Sequence, residues 1–251
     1  MINILIHGIG GKMGKVVYQQ LQGSNEAIAC VGVDKFANKS EFNIPVYDSL
    51  AEVTEKVDCI IDFSVKQAIY DLIPYAIEKK LPVVVATTGF TSIELTLIDE
   101  ASKNIPIFRS GNMSLGVNVI GKLVKDATRM LGDKADIEII ESHHNQKVDA
   151  PSGTALMLLD NVKEARDVTA VYGRVGQVGA RTTNEVGMHA VRGGSIVGKH
   201  EVMFILNNEV ITIKHEAESK CVFANGAIKA AVYLSEMPAG LYNMNTLLAS
   251  M

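Results

Sequence analysis

The stretch Asn3-Ile-Leu-Ile-His7-Gly8-Ile-Gly-Gly-Lys-Met-Gly14 decides the fold of the first part of the chain. Its apolar start predicts a buried strand, the glycines predict a tight turn, and a helix is expected to follow. A strand, a glycine turn and a helix in this order open a dinucleotide-binding domain, because the glycines let a pyrophosphate approach the helix N-terminus. Met13 stands where the pattern G-x-G-x-x-G has its last glycine, but Gly8, Gly11 and Gly14 fit the spacing G-x-x-G-x-x-G.

An acidic residue lies where a ribose would be bound. The next predicted strand, Ala27–Val33, ends in Asp34, about 20 residues beyond the glycine turn, where an acid binds a ribose 2′-hydroxyl. Lys35 beside it can pair with a 2′-phosphate. We therefore expect both NADH and NADPH to be accepted. The alternative is that Asp34 and Lys35 form an ordinary solvated turn.

Strands and helices continue to alternate up to residue 113, which predicts a parallel sheet in an α/β domain. Small polar turns follow two of the strands: Thr87-Thr88-Gly89 follows Pro82–Ala86, and Ser110–Met113 follows Ile105–Phe108. Ligands bind at the carboxyl ends of strands in such sheets. Each turn alone is ordinary loop chemistry, but their shared position favours a cofactor site.

The pattern changes at about Ser114. Neighbouring strands joined by short turns predict an antiparallel or mixed sheet, and hence a second domain over 114–220. The last helix is expected to return to the first domain, which then comprises 1–113 and 221–251. The elements expected after 114 are a helix over 117–131, an irregular segment over 168–183, strands over 186–191, 195–206 and 210–215 with a two-residue hairpin turn at Asn207-Asn208, and a helix over 223–234.

The residues that carry chemistry are concentrated between Glu138 and Ala155. A strand is predicted over 135–141, because Ile137 and Ile139 alternate with acids, and a polar stretch with two histidines follows it. His143 can transfer a proton near neutral pH, and Lys147, four residues on, supplies a positive charge or a proton.

A carboxylate site is expected directly after the polar stretch. Ser152, Gly153 and Thr154 precede an apolar, helix-favouring run, and Ser152 or Thr154 is a suitable N-cap. Free amides at such a helix start can hold a carboxylate. A proton donor, a cation and a carboxylate site together suit an anionic substrate whose unsaturated carbon accepts a hydride from a nicotinamide.

The central stretch has two alternative interpretations, a metal site and a purely structural loop. Adjacent histidines seldom converge on one ion, and no H-x-x-x-H or C-x-x-C partner is present, so a metal site is disfavoured. A histidine-rich loop that only forms hydrogen bonds is the other alternative. Glu138 and Glu141 are expected to orient the loop rather than to react. The remaining histidines lie on predicted strands and are expected to be structural: His7, His189, His200 and His215.

Composition excludes several classes of function. A net charge of −4 and the absence of Trp disfavour a nucleic-acid-binding protein. Three cysteines without C-x-x-C spacing indicate free thiols in a reducing cytoplasm. There is no signal-like start and no apolar run of membrane-spanning length, so no membrane association is expected.

The stretch Glu141-Ser-His-His-Asn-Gln-Lys-Val-Asp-Ala-Pro-Ser-Gly-Thr-Ala155 closely resembles the signature of the 4-hydroxy-tetrahydrodipicolinate (dihydrodipicolinate) reductase family. The resemblance extends over nearly the whole chain in the family's order. Further matching motifs are Gly8–Gly14, Ile61–Ser64, Ala86–Phe90, Asn112–Asn118, Val191–Gly198 and Phe223–Ala227.

The resemblance implies a Rossmann-like cofactor domain joined to a mixed-sheet α+β domain that binds substrate and forms a homotetramer. It implies reduction of a small dicarboxylate imine in the diaminopimelate route to lysine. By resemblance, His143 is the proton donor or acceptor and Lys147 the proton donor, while His144, Gly153 and Thr154 bind substrate together with Ser152. The implied cofactor residues are Gly8, Ile9, Gly10, Gly11, Lys12, Met13, Asp34, Lys35, Ala86, Thr87, Thr88, Ser110, Gly111, Asn112 and Met113.

Two rival functions are kept as alternatives. One is another Rossmann-type reductase acting on a different small carboxylate, which substrate screening would distinguish. The other is a module that senses NAD(P)H without catalysis, which would bind the nucleotide but turn over no imine.

Overall fold

The computed structural model describes all 251 residues, which divide into two compact units. The first unit comprises Met1–Leu115 and Lys220–Met251, and the second comprises Gly116–Ser219. The divisions thus lie within two residues of the boundaries expected at 113/114 and 220/221.

The first unit begins with alternating strands and helices. Its apolar runs form strands and its amphipathic segments form helices, as the sequence pattern predicts. The elements are β1 (Ile2–His7), α1 (Lys12–Leu21), β2 (Ala27–Val33), β3 (Val46–Tyr47), β4 (Cys59–Asp62), α2 (Ile69–Lys79), β5 (Val83–Val85), α3 (Ser92–Ala101) and β6 (Pro106–Arg109).

The second unit contains a five-stranded mixed sheet and two longer helices. Its elements are α4 (Leu115–Leu131), β7 (Asp136–His143), α5 (Gly153–Lys163), β8 (Thr169–Tyr172), β9 (Glu185–Arg192), β10 (Gly198–Leu206) and β11 (Glu209–Ala217). The chain then completes the first unit with α6 (Cys221–Leu234), β12 (Gly240–Tyr242) and α7 (Met244–Ala249).

The sheet of the first unit is entirely parallel, in the order β3-β2-β1-β4-β5-β6-β12. Its two faces are both covered. Ile4 and Ile6 of β1 belong to a core shared with α1 and α6, whereas Leu5 belongs to a core shared with α2 and α3. Because the order of the strands reverses beside β1, the carboxyl ends of β1 and β4 are where a doubly wound sheet binds its ligand.

The sheet of the second unit has the order β11-β10-β7-β9-β8. The central strand β7 pairs antiparallel with β10 and parallel with β9. Burial alternates along β7, so that Ile137 and Ile139 face a core shared with α4 and α5. Two strands of this sheet differ from expectation. Residues 169–172 form β8 within the segment predicted to be irregular, and β7 continues two residues beyond Glu141 to His143.

The hairpin between β10 and β11 is confirmed, since Leu206 pairs with Glu209 across a two-residue turn. Within this turn Asn208 has a positive φ, of 67°. The helix expected over 223–234 is confirmed as α6 and begins two residues earlier. No helix is both long and apolar enough to cross a membrane.

Candidate active site

The candidate site of the second unit lies at one end of the mixed sheet, on the face that packs against the core. There the inward-facing side chains change from apolar to polar. Side chains of β7 that point toward the core read Ile137, Ile139, Glu141 and His143, so the apolar stripe gives way to two polar groups. The same change occurs on the neighbours. On β10 the inward residues Phe204 and Val202 are followed by His200 and Gly198, and on β9 Met188 is followed at the strand end by Arg192.

The carboxylate of Glu141 is at the centre of this cluster and is only 1% exposed. Its Oε2 lies 2.6 Å from His143 Nδ1 and accepts from Arg192 Nη1 at 2.8 Å. Its Oε1 accepts from Arg192 Nη2 at 2.7 Å and from the backbone N–H of Ser152 at 3.0 Å. Burial opposes ionisation, but these donors outweigh it and hold the pKa of Glu141 below its ordinary value.

The imidazole of His143 is 9% exposed, and burial lowers its pKa below the ordinary value of a histidine, although Glu141 partly opposes that shift. The ring is therefore neutral at pH 7. An ionised carboxylate can only accept hydrogen bonds, so the proton of the neutral ring resides on Nδ1. Nε2 of His143 then carries a free lone pair.

His200 packs against His143 with ring centroids 5.0 Å apart and an angle of 71° between the planes. Its Nε2 lies 3.0 Å from Ser152 Oγ. Burial lowers the pKa of His200 to about 4, and the neighbouring His143 acts in the same direction. His200 is therefore a neutral ring that supports both His143 and the start of α5.

The amino end of α5 lies beside these rings. Ser152 is the N-cap, because its Oγ accepts from Ala155 N at 3.2 Å. Gly153 is the first helical residue and is exposed, and a Cβ there would meet nothing within 4 Å. Thr154 is half-buried. The first amides of a helix have no acceptor within the helix, which makes this turn suitable for a carboxylate.

Lys147 lies beyond β7 in a turn, so it does not share a strand or helix face with His143. Its Nζ pairs with Asp149, at 2.7 Å from Oδ1 and 2.9 Å from Oδ2. This ion pair lowers the pKa of Asp149. His144 is half-buried, and its backbone N–H donates to Ile196 O at 2.8 Å.

The glycine turn of the first unit leaves no room for side chains at two positions. Gly8 has φ +80°, and a Cβ there would lie 2.7 Å from Phe63 O. A Cβ on Gly14 would lie 2.1 Å from Gly8 O, so α1 approaches β1 more closely than alanine permits. Helix α1 begins at Lys12, directly after the turn, as a dinucleotide-binding motif requires.

Asp34 is tied to the same turn. Its Oδ2 accepts from Gly10 N at 3.0 Å and its Oδ1 from Phe36 N at 2.9 Å. Lys35 is exposed, and its Nζ lies 5.9 Å from the centroid of the Phe36 ring. The acid expected at a ribose thus lies beside the glycines expected at the pyrophosphate.

A groove of about 530 Å³ lies at the carboxyl ends of β4 and β5. Thr87 lies in it, and its Oγ1 is buried without a hydrogen-bond partner. A smaller cavity of about 170 Å³ continues from Thr87 to Ser110 and Gly111. The groove is lined by Met13, Phe63, Ser64, Val65, Lys66, Gln67, Ala86, Thr87 and Thr88.

Comparison with known proteins decides the family. The model of the N-terminal part of dihydrodipicolinate reductase matches residues 2–113, and that of the C-terminal part matches residues 116–248. The chain belongs to the dihydrodipicolinate reductase family. The resemblance read from the sequence motifs is therefore confirmed.

Relatives in this family match along nearly their whole length. A 4-hydroxy-tetrahydrodipicolinate reductase of Caldanaerobacter subterraneus subsp. tengcongensis is 51% identical, with 98% of each chain covered. One from Clostridium tetani is 47% identical over 100% of this chain and 98% of the relative. A dipicolinate-bound dihydrodipicolinate reductase from Paenisporosarcina sp. TG-14 has the same fold, with a TM-score of 0.78 at 22% identity over 98% of this chain and 99% of that one.

Within each unit the structure brings the expected family residues together. The glycine turn, Asp34 and the turn at Ala86–Thr88 lie on one sheet edge of the first unit. His143 and Ser152 lie at one end of the mixed sheet in the second unit, and both are joined to Glu141. No group of three or more His, Cys, Asp or Glu side chains is placed to hold a metal ion.

Two residues at the site were not singled out from the sequence. Arg192 lies in a quoted family motif but was given no role, and His200 was expected to be structural. Arg192 is 51 residues from Glu141 in sequence, and His200 is 48 residues from its partner Ser152. The alternation of apolar residues along β9 and β10 assigns Arg192 and His200 to the core face. It brings them to Glu141 only once the strand register is known.

Proposed function

We propose that the protein catalyses the NAD(P)H-dependent reduction of 4-hydroxy-tetrahydrodipicolinate (dihydrodipicolinate) to tetrahydrodipicolinate, a step of the diaminopimelate route of lysine biosynthesis. A hydride from NAD(P)H and a proton are added, and the 4-hydroxyl group of the substrate leaves as water. The observation that carries the proposal is the polar end of the mixed sheet, where His143, oriented by Glu141, lies beside the N-terminus of α5. Family membership supplies the substrate class. The related protein bound to dipicolinate holds a planar dicarboxylate, which agrees with it.

The residues of the first unit fit a dinucleotide. Gly8 and Gly14 let β1, the turn and the start of α1 pack closely, which supports a pyrophosphate site at the helix N-terminus. The hydrogen bond from Gly10 N to Asp34 supports a ribose site beside it. The unpartnered Thr87 Oγ1 offers a hydrogen bond in the adjoining groove. When bound, a reduced nicotinamide supplies the hydride. Lys35 beside Asp34 supports acceptance of NADPH as well as NADH.

The second unit is proposed to bind the substrate dianion and to supply the proton. His144, Ser152, Gly153 and Thr154 hold the carboxylates. Lys147 donates the proton, and His143 donates or accepts through Nε2. Negative charge on the substrate favours the imidazolium form, so a ring that is neutral in the free enzyme gains a proton as the substrate binds. Lys147 exchanges its exposed partner Asp149 for the substrate in this scheme.

A paired-cofactor assay tests the proposal. Freshly prepared product of the preceding synthase is added to the enzyme with NADH and, separately, with NADPH, and loss of the reduced cofactor's absorbance is followed. Substrate-dependent oxidation of at least one cofactor is expected. Binding of NAD(P)H without turnover would instead identify a sensing module, and turnover only with another small carboxylate would identify a different reductase.

We also propose that the enzyme is a cytoplasmic homotetramer assembled through its second unit. Strand β11 supports assembly, because it is a nine-residue edge strand on which Val210 and Ile211 are 52% and 42% exposed. Cys30 and Cys59 form no disulfide bond, which agrees with a reducing compartment. Light scattering during gel filtration measures the assembly state, and a monomer at micromolar concentration would contradict it.

A further inference from the structure

The feature that goes beyond the proposed residue roles is the carboxylate of Glu141. Each of its oxygens is engaged twice: Oε2 by His143 and Arg192, and Oε1 by Arg192 and the Ser152 amide. An ion paired on one side only would be costly at 1% exposure. Four donors around one buried carboxylate therefore fix it in one orientation.

The first consequence concerns the ring of His143. With Nδ1 held at 2.6 Å by an acceptor, the ring cannot rotate, and the neutral form has its lone pair on Nε2. Space is left at Nε2 because residue 198 is glycine: a Cβ there would lie 3.1 Å from this atom. The reactive nitrogen is thus oriented from one side, and residue 198 places no side chain against it on the other.

The second consequence concerns the carboxylate-binding turn. The same Glu141 accepts from the Ser152 backbone N–H, and Arg192 Nη2 also donates to Asp149 O at 2.7 Å. The turn that precedes α5 is therefore attached to β7 and β9 at two points. Glu141 therefore holds both the ring that transfers the proton and the turn that binds the carboxylate.

We propose that Glu141, held by Arg192, is a positioning residue that sets the tautomer of His143 and places the Ser152–Thr154 turn relative to it. This inference deepens the proposed reductase function and rests on it for the identity of the substrate. Glu141 does not itself touch the substrate.

The chain contains a matched control on the same strand. Glu138 also contacts a histidine and an arginine, with Oε2 2.8 Å from His189 Nε2 and 3.0 Å from Arg174 Nη1. Glu138 points to the opposite face of the sheet, because burial on β7 alternates and the two acids are three residues apart. Glu138→Gln removes the same charge from the same strand without touching His143.

The test combines ring spectroscopy with kinetics on the full-length protein. Long-range ¹H–¹⁵N correlation spectra report the tautomer of each of the six histidines, and His143 is assigned by its loss in His143→Gln. Wild type should show the Nδ1–H tautomer at pH 7. In Glu141→Gln the Nε2–H form should become populated, because the amide NH2 group can donate to Nδ1 and Arg192 competes for the single acceptor oxygen.

Kinetics should show a split between chemistry and cofactor binding. In Glu141→Gln we expect kcat to fall at least about 100-fold, with the KM for NADH within about twofold of wild type. In the pH profile of kcat, the inflection that reports the ionisation of His143 should move to lower pH. The reason is that Glu141→Gln removes the negative charge that favours the imidazolium form. The other charged or titratable groups facing this ring are Arg192 from β9, His200 from β10 and Lys147 from the loop.

Arg192→Lys provides a milder variant, since it keeps the charge but loses the two-pronged contact. It should give an intermediate fall in kcat and a smaller shift of the pH profile. Glu138→Gln should leave the tautomer and kcat as in wild type. The inference is overturned if Glu141→Gln keeps the wild-type tautomer and pH profile, or if Glu138→Gln alters them equally. If the tautomer changes in Glu141→Gln but the wild-type enzyme does not reduce the proposed substrate, the proposed substrate is wrong. The positioning role of Glu141 is then still supported.

Discussion

Replacing Gly14 by alanine tests the cofactor-binding turn directly. The new Cβ would lie 2.1 Å from Gly8 O and 2.7 Å from Ile9 Cα. Both are backbone atoms, so no rotamer change relieves the contact. A carbon lies at least about 3.3 Å from a carbonyl oxygen, and α1 must therefore retreat from β1 by about 1 Å.

The energetic cost of Gly14→Ala follows from that displacement. Overpacking of this kind costs about 1–3 kcal/mol, and the better helix propensity of alanine returns at most about 1 kcal/mol. We expect a net loss of about 1–2 kcal/mol, which lowers Tm by roughly 2–8 °C in a protein of this size. Losing one charged hydrogen bond to the pyrophosphate costs about 1.5–3 kcal/mol, so the Kd for NADH should rise at least about tenfold.

Gly23→Ala is the matched control for this experiment. Gly23 follows the same helix, has no positive φ, and a Cβ there would meet nothing within 4 Å. Thermal unfolding measures Tm, and calorimetric titration with NADH measures Kd. If Gly14→Ala matches Gly23→Ala in both quantities, the close approach of α1 to β1 does not constrain the turn. A lower Tm with unchanged Kd would make Gly14 a packing residue only.

Three further outcomes are expected. Lys147→Ala should lower kcat by about 100-fold or more and leave the Kd for NADH unchanged, as steady-state assays and calorimetric titration would show. If kcat stays at the wild-type value, or if cofactor affinity falls as much as kcat, Lys147 is not the proton donor. Gly198→Ala should lower kcat by about tenfold, because the new Cβ would lie 3.1 Å from His143 Nε2, while Tm should stay within a few degrees of wild type. Steady-state assays measure kcat and thermal unfolding measures Tm. An unchanged kcat would contradict this prediction. The pKa of His200 is lowered to about 4 in the folded protein, so this ring binds a proton more readily when the chain is unfolded. Its contribution to the free energy of unfolding is therefore complete above about pH 6.5 and is lost as the pH falls toward 4. The loss amounts to at most about 3 kcal/mol. Urea unfolding of wild type and His200→Gln at pH 7.5 and 5 should therefore show a smaller pH-dependent loss in the variant, and equal losses would refute the assignment.

The parallel sheet was predictable because its central strands are continuous apolar runs that alternate along the chain with segments of helical length. The strand Ala27–Val33 has the predicted limits, and helix α1 ends at Leu21. The strands that the sequence analysis missed are β3, β8 and β12, which have two, four and three residues. Unlike β4 and β5, which are fully buried apolar runs, these segments are only partly buried, so no apolar pattern marks them. Pairing with a neighbouring strand makes them extended.

The site was predictable in part. The motif placed His143 and the start of α5 near each other because they are close in sequence. Glu141 and His143 on a core face contradict the expectation that inward positions are apolar, so the pattern ended the strand too early. Arg192 and His200 reach the site through strand pairing over about 50 residues, which no local pattern reveals.

The alignment of β7 with β9 has a consequence for how this protein tolerates change in length. His143 and Arg192 are paired across the two strands, as are Glu141 and Ala190. Deleting a single residue anywhere within β9 would send the guanidinium to the opposite side of the sheet and leave a bare anion in the interior. Loop 173–184 can lengthen or shorten over evolutionary time, whereas β9 cannot, so insertions and deletions among homologues should stop abruptly at Glu185.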